Sequence, residues 1–568
     1  MSVYDETRFK ACGPVETVER IRAILNDLGI ETEEYWNESG LEGFYSVRVS
    51  IRGTAIGQNG KGTTKEFARA SGYAEFMERL QTGYLLPSMI GLPEEAPRMT
   101  AEEIEAQNGF LLRETLREIR RTDGGFDFLP LNAREYLNLW SYNVEDGKIP
   151  VRLYTCEETG VTEAIPRNIA DAYYYTNGSC AGNTREEALV QGLSEIAERY
   201  VTVRLMKKHL TPPVIPDCEI ERYPSVYSLV QRIRAHEGIE LRIMDASLGM
   251  GLPVIAAAMI DRKTGKAAVR FGAHPRFETA LERCLTELLQ GRNIDRFDHI
   301  PVYDISREKD IDSIQNVFNF LKGTFGMFPT ELYGREPSWT FTRREEAPED
   351  ISGQLRFMRE IFRSLSWRIY IRDCSLFGFP TYHIIVPGIS MVFDFGAERL
   401  WEKRALYRLR HALRNPAEAG HEPVRECRRL AELKKEFTLE NTYSFLTGVP
   451  VRARVLDEEL DAGLFAALCM ISEGEYANAA KALEPYCYRN GKMTKCFLLR
   501  QLVCAQPLKE ASAEALRLIY PKGWFEETEQ VLRDPLSVLP VLNCPDCSAC
   551  AQRDGCSIPN LSRLFKKD

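Results

Sequence analysis

Nothing in this chain is long and apolar enough to cross a bilayer. Its most apolar runs resemble VIAAAMI at Val254–Ile260, far short of the roughly 20 residues a membrane helix needs. The first residues, MSVYDETRFKACG, hold no apolar signal region. Basic charge is not in excess either: 73 Lys and Arg stand against 82 Asp and Glu, a net −9. That balance argues against DNA or RNA as the main partner, because phosphate backbones want a basic face. A Walker phosphate loop is missing too, since Gly57 to Lys61 in GQNGKGTT has the wrong spacing. There is no nucleophilic serine motif and no defensible cysteine–histidine pair. The expectation is a cytoplasmic protein that binds neither DNA nor membrane.

What is present is ordinary globular material. The 568 residues are 44% apolar and 27% charged, enough for a large core and for two or three domains. Short apolar runs punctuated by Gly and Pro predict strands at GFYSVRVSI, ELRIMDASL, PVIAAAMI, AAVRFGAH, WRIYIRD and YHIIVPGISMVF. Amphipathic helical stretches alternate with them. The fold predicted is α+β: a mixed sheet and helix domain over 1–400, an all-helical region over 401–540, and a short Cys-rich tail over 541–568. In the second region, 402–414, 423–437 and 457–519 read as helices. There LDAGLFAALCMISEGEYANAAKALEPY and GKMTKCFLLRQLVCAQ read as a helical hairpin; the GEYANAAKAL phrase has a faint tetratricopeptide flavour, and a plain bundle serves equally well. Of fifteen cysteines, eleven are scattered from Cys12 to Cys504, as reduced, buried thiols would be.

An internal repeat carries the chemistry. Residues 62–79, GTTKEFARASGYAEFMER, shifted by 120 fall on GNTREEALVQGLSEIAER. Gly62, Thr64, Glu66, Ala68, Gly72, Glu75, Glu78 and Arg79 all find identical partners, where chance gives about one match. A further shift of 92 reaches HPRFETALERCLTELLQG, where Glu186, Ala188, Leu189, Leu193 and Glu195 match Glu278, Ala280, Leu281, Leu285 and Glu287. This third copy is looser: Gln290 replaces the second glutamate, and Arg292 falls one position late.

Helical spacing puts Ser71/Glu75/Glu78, Gln191/Glu195/Glu198 and Arg283/Glu287/Gln290 on one face of each copy. One copy alone would read as a solvated face with an i,i+4 ion pair from Glu75 to Arg79. The small and apolar flanks and the repeated glycine lead-in favour a buried helix instead. Carboxylates gathered from three such helices would repel and raise one another's pKa values. A hard cation resolves that, and magnesium bridges carboxylates to phosphates. Arg199 and Arg283 would then take phosphate oxygens, and NGKGTTK and SCAGNT would offer backbone N–H groups at helix starts.

These three segments resemble the nucleotide-binding motifs of the YcaO family. The resemblance covers about residues 1–400, and the helical region extends it to about 520 as in the stand-alone bacterial members. It implies ATP- and magnesium-dependent activation of a peptide backbone amide by phosphorylation of the amide oxygen. It also implies site residues. Glu75, Glu78, Glu195, Glu198 and Glu287 would hold Mg2+. Asn183, Glu187, Gln191, Arg199 and Arg283 would contact ATP, with Ser71 and Arg79 in the same constellation and Lys10 and Thr17 on the nucleobase side. The stand-alone type is linked to methylthiolation of an aspartate in a small-subunit ribosomal protein, as accessory to a radical methylthiotransferase. The partners implied are thus a peptide or ribosomal protein substrate, that enzyme, and a second copy in a homodimer. Two other readings stay open: a maturase making azolines or thioamides in peptide natural products, and a non-catalytic ATP-binding adaptor. The azoline-forming members usually end in a proline-rich tail, whereas this chain ends NLSRLFKKD. His274, in FGAHP, reads as structural.

The tail CPDCSACAQRDGC places Cys544, Cys547, Cys550 and Cys556 at spacings of 2, 2 and 5. The first three resemble part of a bacterial ferredoxin run, whereas structural zinc more often uses two separated pairs. Spacing therefore favours a [4Fe-4S] cluster over Zn2+, with an unligated thiol-rich tail as the alternative. Anaerobic purification followed by iron, sulfide and zinc analysis is expected to find metal; a colourless, metal-free protein refutes this.

Overall fold

A computed structural model describes residues 10–85, 97–122, 147–392 and 452–538, less short breaks at 55, 297–299, 312, 314–315, 318, 324–325, 454, 461 and 507–509. The helices expected at 402–414 and 423–437 and the cysteines Cys544, Cys547, Cys550 and Cys556 lie outside the described residues. Among those described, no helix is long and apolar enough to cross a membrane. The chain forms two compact units, one reaching to Ala397 and one largely beyond Glu398.

The first unit is built on three antiparallel sheets. One joins β1 (Thr32–Glu38), β2 (Tyr45–Ile51) and β3 (Gly57–Gly62) in that order. A second is led by β4 (Ile149–Cys156), which pairs with β5 (Thr162–Pro166). Two more of its strands, β10 (Tyr370–Asp373) and β11 (Thr381–Ile385), carry it to the short β6 (Ser179–Ala181). The third joins β7 (Ile239–Asp245), β8 (Val254–Asp261) and β9 (Lys266–Ala273), with β8 central. All six predicted strands form. Among those missed, β1 (TEEYWNE), β3 (GQNGKG) and β6 (SCA) lack the β-branched apolar pattern that marks strands, whereas β4 (IPVRLYTC) and β5 (TEAIP) carry part of it and were passed over.

Each sheet delivers one copy of the repeat. The chain leaves β3, β6 and β9 through a tight turn into α2 (Lys65–Thr82), α3 (Arg185–Lys208) and α5 (Phe277–Leu288); α1 (Pro14–Asp27) and α4 (Pro224–Arg234) flank them. Thr64 and Thr184 are N-caps whose hydroxyls accept from Phe67 N (3.3 Å) and Glu187 N (3.2 Å), the usual role of Thr there. In the third copy Arg276 supplies no side-chain cap. The carboxylate of Glu346 accepts from Phe277 N instead, at 3.2 and 3.4 Å. α5 stops at Leu288, so Gln290 and Arg292 lie beyond it rather than on its face. Arg292 is buried and donates to Leu288 O (3.1 Å).

Apolar burial fixes the helices against the sheets. Leu189, Leu193 and Ile196 of α3 pack with Ala256, Phe271, Ile384 and, from α6 (Ile351–Ser364), Met358 and Phe362. Leu281, Leu285 and Leu288 of α5 pack with Leu241, Ala257 and Met259. Each such side chain contributes roughly 1.5–3 kcal/mol on burial. Close approach of helix to strand needs more than apolar matching. A Cβ on Gly60 would lie 2.1 Å from Ala68 O; one on Gly192 would lie 2.7 Å from Cys180 Sγ; one on Gly272 would lie 2.2 Å from Ala280 O. The repeat offsets align Gly60/Gly72, Cys180/Gly192 and Gly272/Cys284. At least one member of every pair is glycine.

In the second unit, α7 (Ala462–Ser472) and α8 (Tyr476–Ala482) form a helical hairpin closed by Gly474 at φ 75°. α9 (Lys495–Ala505), α10 (Glu510–Ile519) and α11 (Lys522–Arg533) follow. Leu468, Ala479, Leu483, Cys496, Leu499 and Val531 share a core. The region is not wholly helical. Tyr488–Arg489 pairs with Lys492–Met493 across Asn490 and Gly491, at φ 51° and 75°, an Asn-Gly turn of the hairpin-forming kind. Arg452–Ala453 pairs with Glu458–Glu459.

Gly60→Ala and Gly272→Ala are expected to destabilise the protein by about 1–3 kcal/mol each, the usual cost of overpacking, measured by urea unfolding.

Candidate functional site

The three copies face one cleft of about 1650 Å³ inside the first unit. Its walls include Lys10, Thr17, Ser71, Glu75, Glu78, Arg79, Asn183, Glu187, Gln191, Glu195, Glu198, Arg199, Arg283 and Glu287. Every residue of the expected ATP and magnesium set therefore lines a single cleft. All nine positions of the three predicted rows do so, Gln290 included. The faces behind those rows are closed: Phe76, Met77, Leu193, Ile196 and Ala197 are buried.

One end of the set is a hydrogen-bonded cluster at the start of α3. Glu187 pairs with Lys10 Nζ (3.4 Å) and accepts from Ala11 N (3.0 Å). Asn183 Nδ2 donates to Glu187 (3.4 Å), and Asn183 Oδ1 accepts from Thr17 Oγ1 (3.1 Å). Burial works to raise the Glu187 pKa, but Lys10 and these N–H donors outweigh it and hold the carboxyl below its usual value. It stays ionised.

The carboxylate rows behave oppositely. Glu78 is pushed up to about 8, first by burial and then by Glu195 and Glu75, with Arg79 opposing. Glu198 is pushed up to about 7, again first by burial, with Lys61 opposing and Glu195 adding. Arg79 pairs with Glu78 (2.6 Å) and Glu75 (3.5 Å), and Arg199 with Glu195 (3.0 Å). The arginines expected on phosphate are thus within one helical turn of the carboxylates. Arg283 donates to Ala273 O (3.1 Å), and burial lowers its pKa against the pull of Glu198, Glu187 and Glu195.

Lys61 was legible only as part of a motif, yet its ammonium pairs with Glu287. Burial lowers its pKa, with Glu198 and Glu75 opposing. Its repeat counterparts are Ala181 and Ala273, so the comparison that exposed the glutamates hid this lysine. Tyr84, Tyr175, Thr202 and Arg270 also line the cleft and carried no sequence signal. The NGKG lead-in is a paired strand, not a loop: Gly57–Gly62 is laddered to β2. Its glycines serve close packing on α2, leaving Thr63 and Thr64 as the turn. His274 lies off the cleft wall; it is buried, accepts from Arg276 N (3.1 Å), and is held neutral chiefly by burial.

The arrangement is an acidic pocket with an all-oxygen donor set and interleaved cations. Such a site suits a hard divalent cation and the phosphates it bridges. Buried Glu195 Oε1 and Glu287 Oε2 have no hydrogen-bond partner beyond the ion-pair cations Arg199 and Lys61, and buried carboxylate oxygens of this kind suit a divalent cation.

Comparison with known proteins follows the same lines. Residues 59–390 match the family model described as YcaO cyclodehydratase, ATP- and Mg2+-binding. The chain is 31% identical over 405 residues to the ribosomal protein S12 methylthiotransferase accessory factor YcaO of Escherichia coli K12, covering 68% of this chain and 66% of that one. It is 29% identical over 398 residues to an uncharacterized protein of Haemophilus influenzae, covering 66% and 65%. The match thus spans about two thirds of the length of these relatives. A solved structure of YcaO from Methanopyrus kandleri bound with AMPPCP and Mg2+ aligns at 20% identity and a TM-score of 0.41, over 68% of this chain and 94% of that one.

The raised carboxyls set a pH dependence. Their ordinary value is 4.5, so between there and about 8 the folded groups hold protons that unfolded ones release. Their contribution is full below that range and is lost as pH rises through about 7 and 8. Melting temperature in EDTA should fall from pH 6 to 9, and Glu78→Gln with Glu198→Gln should flatten the fall. An unchanged slope in that double variant contradicts the assignment.

Proposed function

The chain belongs to the YcaO family, and on that premise we propose that it uses ATP and magnesium to activate a peptide backbone amide. In particular, we propose an accessory role in methylthiolation of a small-subunit ribosomal protein, by analogy with the Escherichia coli relative, a ribosomal protein S12 methylthiotransferase accessory factor. The observation that carries the chemistry is the convergence of Glu75, Glu78, Glu195, Glu198 and Glu287 from three copies of one unit.

These five carboxylates would hold magnesium. Their donor chemistry fits, and the raised Glu78 and Glu198 record a burial and repulsion that a divalent cation relieves. Lys10, Thr17, Asn183 and Glu187, already bonded to one another, would hold the nucleoside end, with Ser71 and Gln191 between them and the glutamates. Arg79, Arg199 and Arg283 would bind phosphate oxygens. Lys61 adds a further cation at the third copy.

An amide carbon is a poor electrophile. ATP supplies the phosphoryl group that turns the amide oxygen into a leaving group, with ADP departing. The protein's own task is to align amide and phosphate and to neutralise charge that develops between them. None of these residues needs to become covalently attached.

With magnesium, ATP and purified ribosomal protein S12, wild type is expected to release ADP. Glu75→Gln and Glu195→Gln should each lower turnover on the order of 100-fold with melting temperature retained. EDTA should abolish it. A wild-type protein that binds no magnesium–nucleotide would falsify the proposal.

A further inference from the structure

The cleft wall holds one residue in a backbone conformation that its side chain resists. Tyr175 has φ 49° and ψ −119°, a region nearly closed to residues with a Cβ. Such strain costs on the order of 1–3 kcal/mol and persists only where surrounding structure enforces it. Here it is enforced from both sides. Before it runs a π-helical turn, Ala170–Tyr174, closed by Tyr175 N donating to Ala170 O (3.2 Å); π-turns of this kind gather at functional sites. After it, Asn177 Nδ2 donates to Ser390 O (2.7 Å), and His383 Nε2 meets Asn177 O (3.2 Å). Gly178, at φ 84°, lies so close to Ile384 O that a Cβ would approach to 2.1 Å.

A turn needed for the fold alone would be served by glycine at 175, as it is at 178. The chain instead places a tyrosine there, on the cleft wall. Its ring centre is 5.0 Å from that of Tyr84, at 57°. At the end of α2, Tyr84 N donates to Arg79 O (2.8 Å). Tyr175 and Tyr84 thus stand on the Arg79 side of the carboxylates. The Lys10, Thr17, Asn183 and Glu187 cluster stands at the start of α3, about 12 Å along the helix from Glu195.

If the nucleoside occupies that cluster and its phosphates the glutamates, the acceptor must enter from the Arg79 side. We infer that Tyr175, with Tyr84, forms the wall of the acceptor subsite. It would hold an extended peptide by ring contact with its flat amide units and so determine which segment is presented to the phosphate. This rests on the reading of the cleft as an ATP site. The competing occupant of an aromatic pair is the adenine ring itself.

The test compares wild type with Tyr175→Phe, Tyr175→Ala and Tyr175→Gly. Magnesium–AMPPCP affinity is measured by calorimetry. ADP release is measured against S12 and, separately, against mixed N-acetylated tetrapeptide amides. AMPPCP affinity should stay within about two-fold, while KM for the peptide probe rises by about 10-fold or more in the alanine and glycine variants, kcat changing less. Tyr175→Phe should keep most of the affinity. Tyr175→Gly should melt above Tyr175→Ala, because both lose the ring and only alanine keeps the strain. A fall in AMPPCP affinity with peptide KM unchanged gives the ring to adenine and overturns the inference. Unchanged KM and unchanged nucleotide affinity overturn it too, leaving a structural turn. A wild-type protein that binds AMPPCP but releases ADP with neither probe overturns the acceptor subsite while the nucleotide site stands; one that binds no AMPPCP removes both.

Discussion

The contact between each repeat strand and the helix that follows it is the constraint on which the cleft depends. Gly60 against Gly72, Cys180 against Gly192, and Gly272 against Cys284 let helix and strand backbones approach more closely than two side chains would allow. That approach fixes the rotation of each helix on its own sheet, and rotation decides which face carries the glutamates. Since the three strands belong to three different sheets, the same local device is used three times to aim three acidic rows inward. The apolar packing behind Leu193, Ile196 and Leu285 supplies stability; the missing Cβ atoms supply direction.

Once the rows are aimed inward, charge becomes the problem they create. Burial and mutual repulsion keep Glu78 and Glu198 protonated at pH values where exposed glutamates are fully ionised. Arg79, Arg199 and Lys61 offset part of this from within the site. At the other end, Glu187 meets Lys10 and the N–H groups of Ala11 and Asn183, and remains charged. One cleft therefore holds glutamates in two electrostatic conditions.

Much of this was legible in the sequence because it is periodic. Repeat offsets of 120 and 92 exposed the rows, and helical spacing then put Ser71, Glu75 and Glu78 on one face. The six apolar strands were legible for the same reason. Apart from β4 (IPVRLYTC), whose apolar residues were passed over, what escaped was mostly aperiodic or set by distant partners. β3 escaped because glycine and asparagine carry no strand signal, and its pairing comes from β2. Lys61 escaped because its counterparts are alanines. Tyr175 escaped because backbone strain has no sequence pattern. The end of α5 at Leu288 escaped because the alignment extended the helix to Gln290. The hairpin at Asn490–Gly491 did carry a turn signal, but surrounding helical stretches masked it.

The third copy differs from the others in how its helix begins. Thr64 and Thr184 cap their helices from three residues away, so those starts are complete once a few more residues exist. α5 is capped by Glu346, 69 residues after Phe277. During synthesis, the first two helices can be finished at their N-termini while the chain is still short. The third waits for a segment made long after it. The N-terminus of the third helix is thereby completed from outside the repeat, by a segment that the first two helix starts do not require.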